Sequence, residues 1–315
     1  MATGLAMLAF LAALLTRARW AAVLPGTLLA TMLVWQFGPG TVIWWQQLLG
    51  AEQASTSQTG GVSGGGNGNG GNGNGNGNGG NGGNGGELRV LTVNAEYGRA
   101  DVADLVAQVR SRKIDVLSVQ ELTPELVAGL GAAGLRGELP HSVLRPEEGY
   151  TGTGIWSRWP VTPLGDIPGT QSATPRARVQ PPSGPPFTVI AVHPTAPAGL
   201  GTDKMWRTDL HLVRDVIRET AGGGNGPLVV AGDFNATRDH ALFRELLAPG
   251  LDDALDVAPG GPWLGFTFPV GQGYPPLMRL DHILFTRHGL HCVSAATVPV
   301  PGTDHRGVVA TFRLR

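Results

Sequence analysis

The chain has 315 residues, enough for a full-sized domain with appendages and too many for a scaffold that needs covalent staples. Cys292 is the only cysteine, which excludes an intrachain disulfide and a thiolate zinc cluster. Two basic residues (Arg17, Arg19) and one acid (Glu52) precede position 87, leaving 21 basic and 23 acidic groups beyond it, a balance that argues against a domain built to bind long nucleic acid.

The first elements in chain order are apolar. Residues 5–15 and 20–37 form two runs separated by Thr16-Arg17-Ala18-Arg19. A cleaved signal peptide has one apolar core, so the second run favours a two-helix membrane hairpin over residues 1–50. Trp35, Trp44 and Trp45 suit a membrane–water interface. Arginines in the short connection predict that it is cytoplasmic, which places everything after residue 50 outside the cell membrane. Positions 60–86 hold 17 Gly and 8 Asn among 27 residues, too little apolar surface to offset the cost of ordering glycine. Residues 51–86 are therefore expected to be a flexible linker with a mean span of about 30–35 Å.

Residues 87–315 read as an ordinary globular domain. The β-branched, alternating stretch 87–94 predicts a strand. Residues 101–113 carry apolar positions at helical spacing after an acidic cap. A strand is expected at 115–120, then a short helix over 123–130 that opens with Thr123 and Pro124. Further strands are expected at 154–157, 187–193, 228–232, 280–285 and 308–314, with a helix over 204–219. Cys292 is expected as a small core residue. The alternation fits two stacked sheets flanked by helices, an α/β fold whose strand order pattern alone does not reveal.

Polar residues recur at the ends of these strands: Asn94, Glu121, His193, Asp233 with Asn235, Asp281, and Asp304 with His305. Each alone has an ordinary reading as a turn residue or a hydrogen-bonded histidine. Six such positions in order, each at a strand terminus where a sheet edge holds a side chain rigidly, point to one assembled site.

The segments Val119-Gln120-Glu121, Gly232-Asp233-Phe234-Asn235, Leu280-Asp281-His282-Ile283 and Thr303-Asp304-His305-Arg306 together resemble the endonuclease/exonuclease/phosphatase superfamily, which includes DNase I. Gly154-Ile155-Trp156-Ser157-Arg158-Trp159-Pro160-Val161 resembles a further strand and turn of that family. The resemblance runs from about residue 88 to 312 and implies a four-layer αββα sandwich. Thr303 stands where many relatives have Ser, and Gly307 where many have Pro; the family's active-site tyrosine has no clear counterpart, Tyr150 being the one position offered for it. The N-terminal hairpin, its orientation and Val192-His193-Pro194 resemble a membrane-anchored bacterial branch associated with glycopeptide resistance, which implies a lipid-linked pyrophosphate as substrate.

Phosphoester hydrolysis needs a deprotonated water, neutralised phosphoryl oxygens and a protonated leaving oxygen. Glu121 offers a hard oxygen ligand, with Asn94 and Asp304 as companions, which suits Mg²⁺ or Mn²⁺. His305 is the expected general base, since a free imidazole titrates near neutrality. By the resemblance, Asp281 orients it. His193 is expected to donate to a phosphoryl oxygen, Asp233 to position the nucleophile or assist the leaving group, and Asn235 to contact phosphate. The expected protein is a monomeric membrane-bound phosphoesterase; an extracellular nuclease on the same fold is the alternative, and a binding module would have lost one of these groups. Loops 196–205 and 263–276 are expected to decide substrate, with Trp206, Trp263, Phe266 and Phe268 as candidates for an apolar groove, core packing being the commoner fate of such aromatics.

Overall fold

The computed structural model describes residues 86–314, apart from 224–225, 260 and 262–264. The expected membrane hairpin, the linker and Trp263 lie outside the described residues. Among the described residues, no helix is long and apolar enough to cross a membrane.

Twelve strands build two six-stranded sheets. The first sheet contains β1 (Glu87–Asn94), β2 (Val116–Gln120), β3 (His141–Arg145), β4 (Thr153–Ser157), β11 (Leu290–Pro299) and β12 (Arg306–Leu314), in the order β11-β12-β1-β2-β4-β3. The second contains β5 (Val161–Asp166), β6 (Pro175–Val179), β7 (Phe187–Val192), β8 (Leu228–Asp233), β9 (Leu251–Asp253) and β10 (Asp281–Thr286), in the order β5-β6-β7-β8-β10-β9. Each sheet has one parallel pair at its centre, β1 with β2 and β7 with β8. The neighbours of those pairs run antiparallel: β12 against β1 in one sheet, β10 against β8 in the other.

Period-two alternation assigns the two faces of each strand. Leu88 and Val90 of β1, Val116 of β2, Val189 and Ala191 of β7, Val229 and Ala231 of β8 and Ile283 of β10 share one core between the sheets. Leu91, Val93, Leu117 and Val119 face outward and pack under α1 (Val102–Ser111) and α2 (Pro124–Ala132). On the other side, Ile190, Val192, Leu228 and Val230 pack under α4 (Thr202–Gly222) and α5 (Ala241–Leu247). Three apolar layers thus separate four layers of secondary structure, in the order helix, sheet, sheet, helix. Full burial of one such Leu, Val or Phe is worth about 1.5–3 kcal/mol, so these clusters supply the main driving force. Two short helices, α3 (Leu135–Glu138) and α6 (Ala254–Val257), complete the domain.

Helix starts follow their caps. Asp101 accepts the Asp104 N–H before α1, and Thr123 accepts the Leu126 N–H before α2, where Pro124 takes the first turn. The expected helix over 204–219 extends to Thr202–Gly222. Strands β3, β5, β6 and β9 lie outside the expected set. β5 is exposed along most of its length and contains Pro163, so it lacks the apolar signature of a central strand and sits at the sheet edge. Cys292 is buried in the inter-sheet core, as expected, and burial pushes its thiol up to about 11.

Candidate active site

Along the central strands, the face between the sheets turns from apolar to polar toward one end. On β1 the sequence is Leu88, Val90, Thr92, Asn94, and on β2 it is Val116, Ser118, Gln120. On β8 it is Val229, Ala231, Asp233; β7 leads through Val189 and Ala191 to His193; on β10 Asp281 lies one step beyond Ile283. Asp281 pairs directly opposite Asp233. Gly232 is required just before Asp233, because a Cβ there would meet the Val192 carbonyl oxygen at 2.0 Å.

The floor of this end is a buried polar relay. Thr92 Oγ1 donates to Gln120 Oε1 (3.1 Å), Gln120 Nε2 to Ser118 Oγ (2.8 Å), and Ser118 Oγ to the Ala231 carbonyl of the opposite sheet (3.2 Å). Buried polar groups cost free energy unless paired, so this relay fixes both sheets in one alignment.

Above it the expected residues converge. Asn94 Nδ2 donates to Glu121 Oε1 and to Asp233 Oδ2, both at 3.1 Å, which ties the first sheet to the second. Its Oδ1 accepts the Glu96 N–H (2.9 Å), and Glu121 Oε2 accepts the Tyr97 N–H (2.7 Å). His193 donates from Nδ1 to the Tyr150 carbonyl (3.0 Å), leaving Nε2 3.8 Å from both Glu121 Oε1 and Asp233 Oδ2. Asp281 Oδ2 lies 2.8 Å from His305 Nδ1. His305 Nε2 faces the same cluster, 3.8 Å from Asp233 Oδ2 and 3.9 Å from Asp304 Oδ1. Glu121 (φ 53°) and Asn235 (φ 45°) take left-handed backbone just past β2 and β8. Such conformations cost energy in non-glycine residues and concentrate where a side chain must be aimed.

Charge is crowded here. Burial raises the Asp233 carboxyl above its usual range, and the Asp281 charge adds to this, while His305 and His193 oppose it. Asp304 is raised by burial too, with Glu96 and Glu121 adding to the effect. Burial alone would lower His305, yet the Asp281 and Asp233 carboxylates outweigh it and hold the imidazole up at about 10. The expectation for His305 starts from an unperturbed imidazole; here the carboxylates around the ring favour its charged form.

Asn235 gives its backbone N–H to Asp233 Oδ1 (2.7 Å) and its side-chain Nδ2 to the Pro194 carbonyl (3.0 Å), so it braces the His193 segment against β8. Trp206 does not line a groove: it is buried on the outer face of the second sheet, donates to the Phe234 carbonyl and stacks edge-on with His240. Phe268 packs at 4.7 Å on the His305 ring, and Phe266 is partly buried nearby in the chain. Tyr150 contributes its carbonyl, while its ring is exposed.

Two hydroxyls escaped sequence reasoning. Thr303 Oγ1 donates to the Asn94 carbonyl (2.8 Å) and accepts the His305 N–H (3.2 Å); Thr267 Oγ1 accepts N–H groups of Leu280 and Asp281. The only signal for Thr303 was the hydroxyl it keeps in place of Ser.

The donor set fits a hard divalent cation. Asp233, Asp281 and His305 each offer a ligand atom, all within 4.8 Å of one another, and Asp281 Oδ1 is buried without a hydrogen-bond partner. The raised proton affinity of the Asp233 carboxyl is also a need for positive charge. Cys292 lies in β11, so no thiolate competes.

The Endonuclease/Exonuclease/phosphatase family model matches residues 91–305. An endonuclease/exonuclease/phosphatase from Beutenbergia cavernae DSM 12333 is 21% identical over 72% of this chain and 72% of its own, with a TM-score of 0.52. A family protein from Leptotrichia buccalis C-1013-b is 15% identical over 72% of this chain and 100% of its own, with a TM-score of 0.56. TDP2 from D. rerio, complexed with single strand DNA product, is 17% identical over 72% of this chain and 99% of its own, with a TM-score of 0.56. At these identities the likeness is one of fold. No curated protein sequence matches the chain. Because the family model spans most of the chain and its ends fall on β1 and His305, the chain belongs to the endonuclease/exonuclease/phosphatase family, hydrolases of phosphate ester bonds.

Proposed function

We propose that this chain is a metal-dependent phosphoesterase held at the outer face of the cell membrane. Residues 1–50 are its anchor, 51–86 its linker and 87–315 its catalytic domain. Its substrate is a phosphate ester or pyrophosphate on a lipid-linked cell-envelope molecule. The observation that carries the hydrolytic part is the Asp281–His305 pair (2.8 Å) opening onto Asp233, within the cluster of Asn94, Glu121 and His193. The lipid-linked part rests on the apolar N-terminal segments and the lack of basic excess.

Glu121, Asn94 and Asp304 would hold the cation in this reading, beside Asp233 and Asp281, whose Oδ1 has no hydrogen-bond partner. Mg²⁺ or Mn²⁺ held there would polarise a phosphoryl oxygen and would offset the carboxylate charge around His305. The chain's own residues do the rest. Asp281 fixes the ring by its Nδ1, so only Nε2 exchanges a proton with the reacting atoms. The neutral ring takes a proton from water; the charged ring returns it. His193, anchored through Nδ1, directs Nε2 at a phosphoryl oxygen. Asp233, between both imidazoles, positions the nucleophile. Asn235 holds the His193 segment and leaves one amide hydrogen for phosphate.

The test is product release by the purified full chain with Mg²⁺ or Mn²⁺, on undecaprenyl pyrophosphate, phosphatidyl lipids, sphingomyelin and DNA. Release from the lipid-linked pyrophosphate is the expected result. Cleavage of DNA alone would replace this reading by the nuclease one.

A further inference from the structure

Nine large hydrophobic side chains are exposed among the described residues, and their distribution is uneven. Seven lie in segments that follow site residues in the chain or bond to them through the backbone; Leu164 on β5 and Val257 on α6 are the exceptions. Singly scattered apolar residues are normal on a surface, but their concentration on the segments that lead from one site is not.

Each of the seven is tied to the site. Tyr97 gives its N–H to Glu121, and Tyr150 gives its carbonyl to His193. Leu200 and Met205 belong to the segment that follows His193, where Pro194 receives the Asn235 amide. Leu277 and its neighbour Met278 bond through their backbone to Phe268, which packs on His305; Tyr274 lies between them and Val270, whose N–H reaches the Asp304 carbonyl. Leu200 is fully exposed, at 106%. Among the described residues, nothing covers it.

We propose that this rim docks on a lipid bilayer surface and presents the site to phosphate groups at the headgroup level. The proposal rests on the phosphoesterase reading for its purpose and adds the face by which substrate is met. Two further observations choose a bilayer as the occupant. β1 enters at Gly86, which bonds Leu314 at the end opposite the site, and its eight residues span about 26 Å. The 36 residues of 51–86 have an expected mean span of about 30–35 Å, long enough to offset that height and let the site end meet the surface into which residues 1–50 are expected to insert. Second, the rim mixes aliphatic with aromatic side chains. Leu200, Met205 and Leu277 offer no ring for a base to stack on, and residues 87–315 carry no basic excess, so a single-stranded nucleic acid platform fits less well. Leu, Met and Tyr together suit the boundary between headgroups and acyl chains.

The experiment uses the full chain in vesicles of equal parts phosphatidylcholine and phosphatidylglycerol. Leu200→Cys is labelled with an environment-sensitive fluorophore, Cys292 being buried, and Leu164→Cys serves as the control. Quenching of the Leu200 label by bilayer-embedded quenchers, with none at Leu164, is expected. Equal quenching at both positions, or a response of the Leu200 label to single-stranded DNA but not to lipid, overturns the proposal. A second measurement pairs Leu200→Ser with Leu277→Ser. Hydrolysis of vesicle-embedded phosphate ester should fall roughly tenfold or more, by loss of two buried side chains, with soluble bis(p-nitrophenyl) phosphate cleaved as before. Equal loss on both substrates overturns the docking role. Selective quenching without hydrolysis of any ester would keep the surface and remove the phosphoesterase reading instead.

Discussion

β10 carries two consecutive residues that each join an Asp–His pair, one on either face of the second sheet. Asp281 faces the inter-sheet layer and holds His305 Nδ1 at 2.8 Å. His282 faces outward and meets Asp253 Oδ2 through Nδ1 at 2.7 Å. Both rings lie against a phenylalanine, Phe268 at 4.7 Å and Phe243 at 4.3 Å. The difference is in the second nitrogen. His282 Nε2 is occupied by the Ala236 carbonyl (2.9 Å) and the Arg279 carbonyl (3.2 Å), so both its nitrogens meet acceptors and the ring is a fixed donor. His305 Nε2 has no partner so close and looks into the carboxylate cluster. A carboxylate beside an imidazole does not make a catalyst; a free nitrogen on the far side does. The outer pair instead joins the Asp233–Ala236 turn to Arg279 and holds the inner pair in register.

Substitution should separate the two pairs. Replacing His305 by Gln is expected to lower kcat roughly 10²–10⁴-fold, the usual worth of general acid–base catalysis, with far-UV circular dichroism unchanged. Activity near wild type would remove His305 from proton transfer. His282→Ala should act on stability: about 3 kcal/mol by urea denaturation, at the lower end for a broken buried pair because Arg279 stays on Asp253. A loss of turnover with unchanged stability would reverse the two roles. Glu121→Gln should raise the metal concentration at half activity by roughly tenfold or more; an unaltered titration would remove Glu121 from the ligands. Thr303→Val, which deletes the hydroxyl between Asn94 and His305, should cost about 1 kcal/mol of stability.

The smallest effects are pH-dependent and distinguish the pairs once more. His305 is raised in the folded state from 6.5 to about 10, so its contribution to stability is present below 6.5 and lost as pH rises toward 10. With a chelator present, the wild-type Tm should decline over that interval and the His305→Gln protein should not. Asp253 behaves in the opposite sense. Burial would raise it, but His282 and Arg279 prevail and hold its carboxyl below 3.8, so its contribution exists above 3.8 and is lost as pH falls below it. Asp253→Asn should flatten the acid side of the stability profile only.

Much of the site could be read before the fold. The strand ends at Asn94, Glu121, His193, Asp233 and Asp281 follow from apolar runs that stop at a polar residue, and β1 has the bounds expected for it. What escaped reading has a common cause. β5 and β9 lack an apolar run because one is exposed and the other has three residues. Trp206 looked like a groove residue because its fate depends on α4 lying against the second sheet. Thr267 and Thr303 act across 13 and 209 positions of sequence, and a hydroxyl gives no sign of so distant an acceptor.

The sequence by itself determined the alternation that divides each strand into a core face and a helix-facing side, and the polar endings that mark the site, because both follow from period two along a single strand. It determined the family too. Only the tertiary structure decided which histidine keeps a free nitrogen and that His305 holds its proton to about 10. The reason is that hydrogen-bond partners and fields from neighbouring carboxylates depend on distances between strands far apart in the chain, and those distances exist only once the two sheets are stacked.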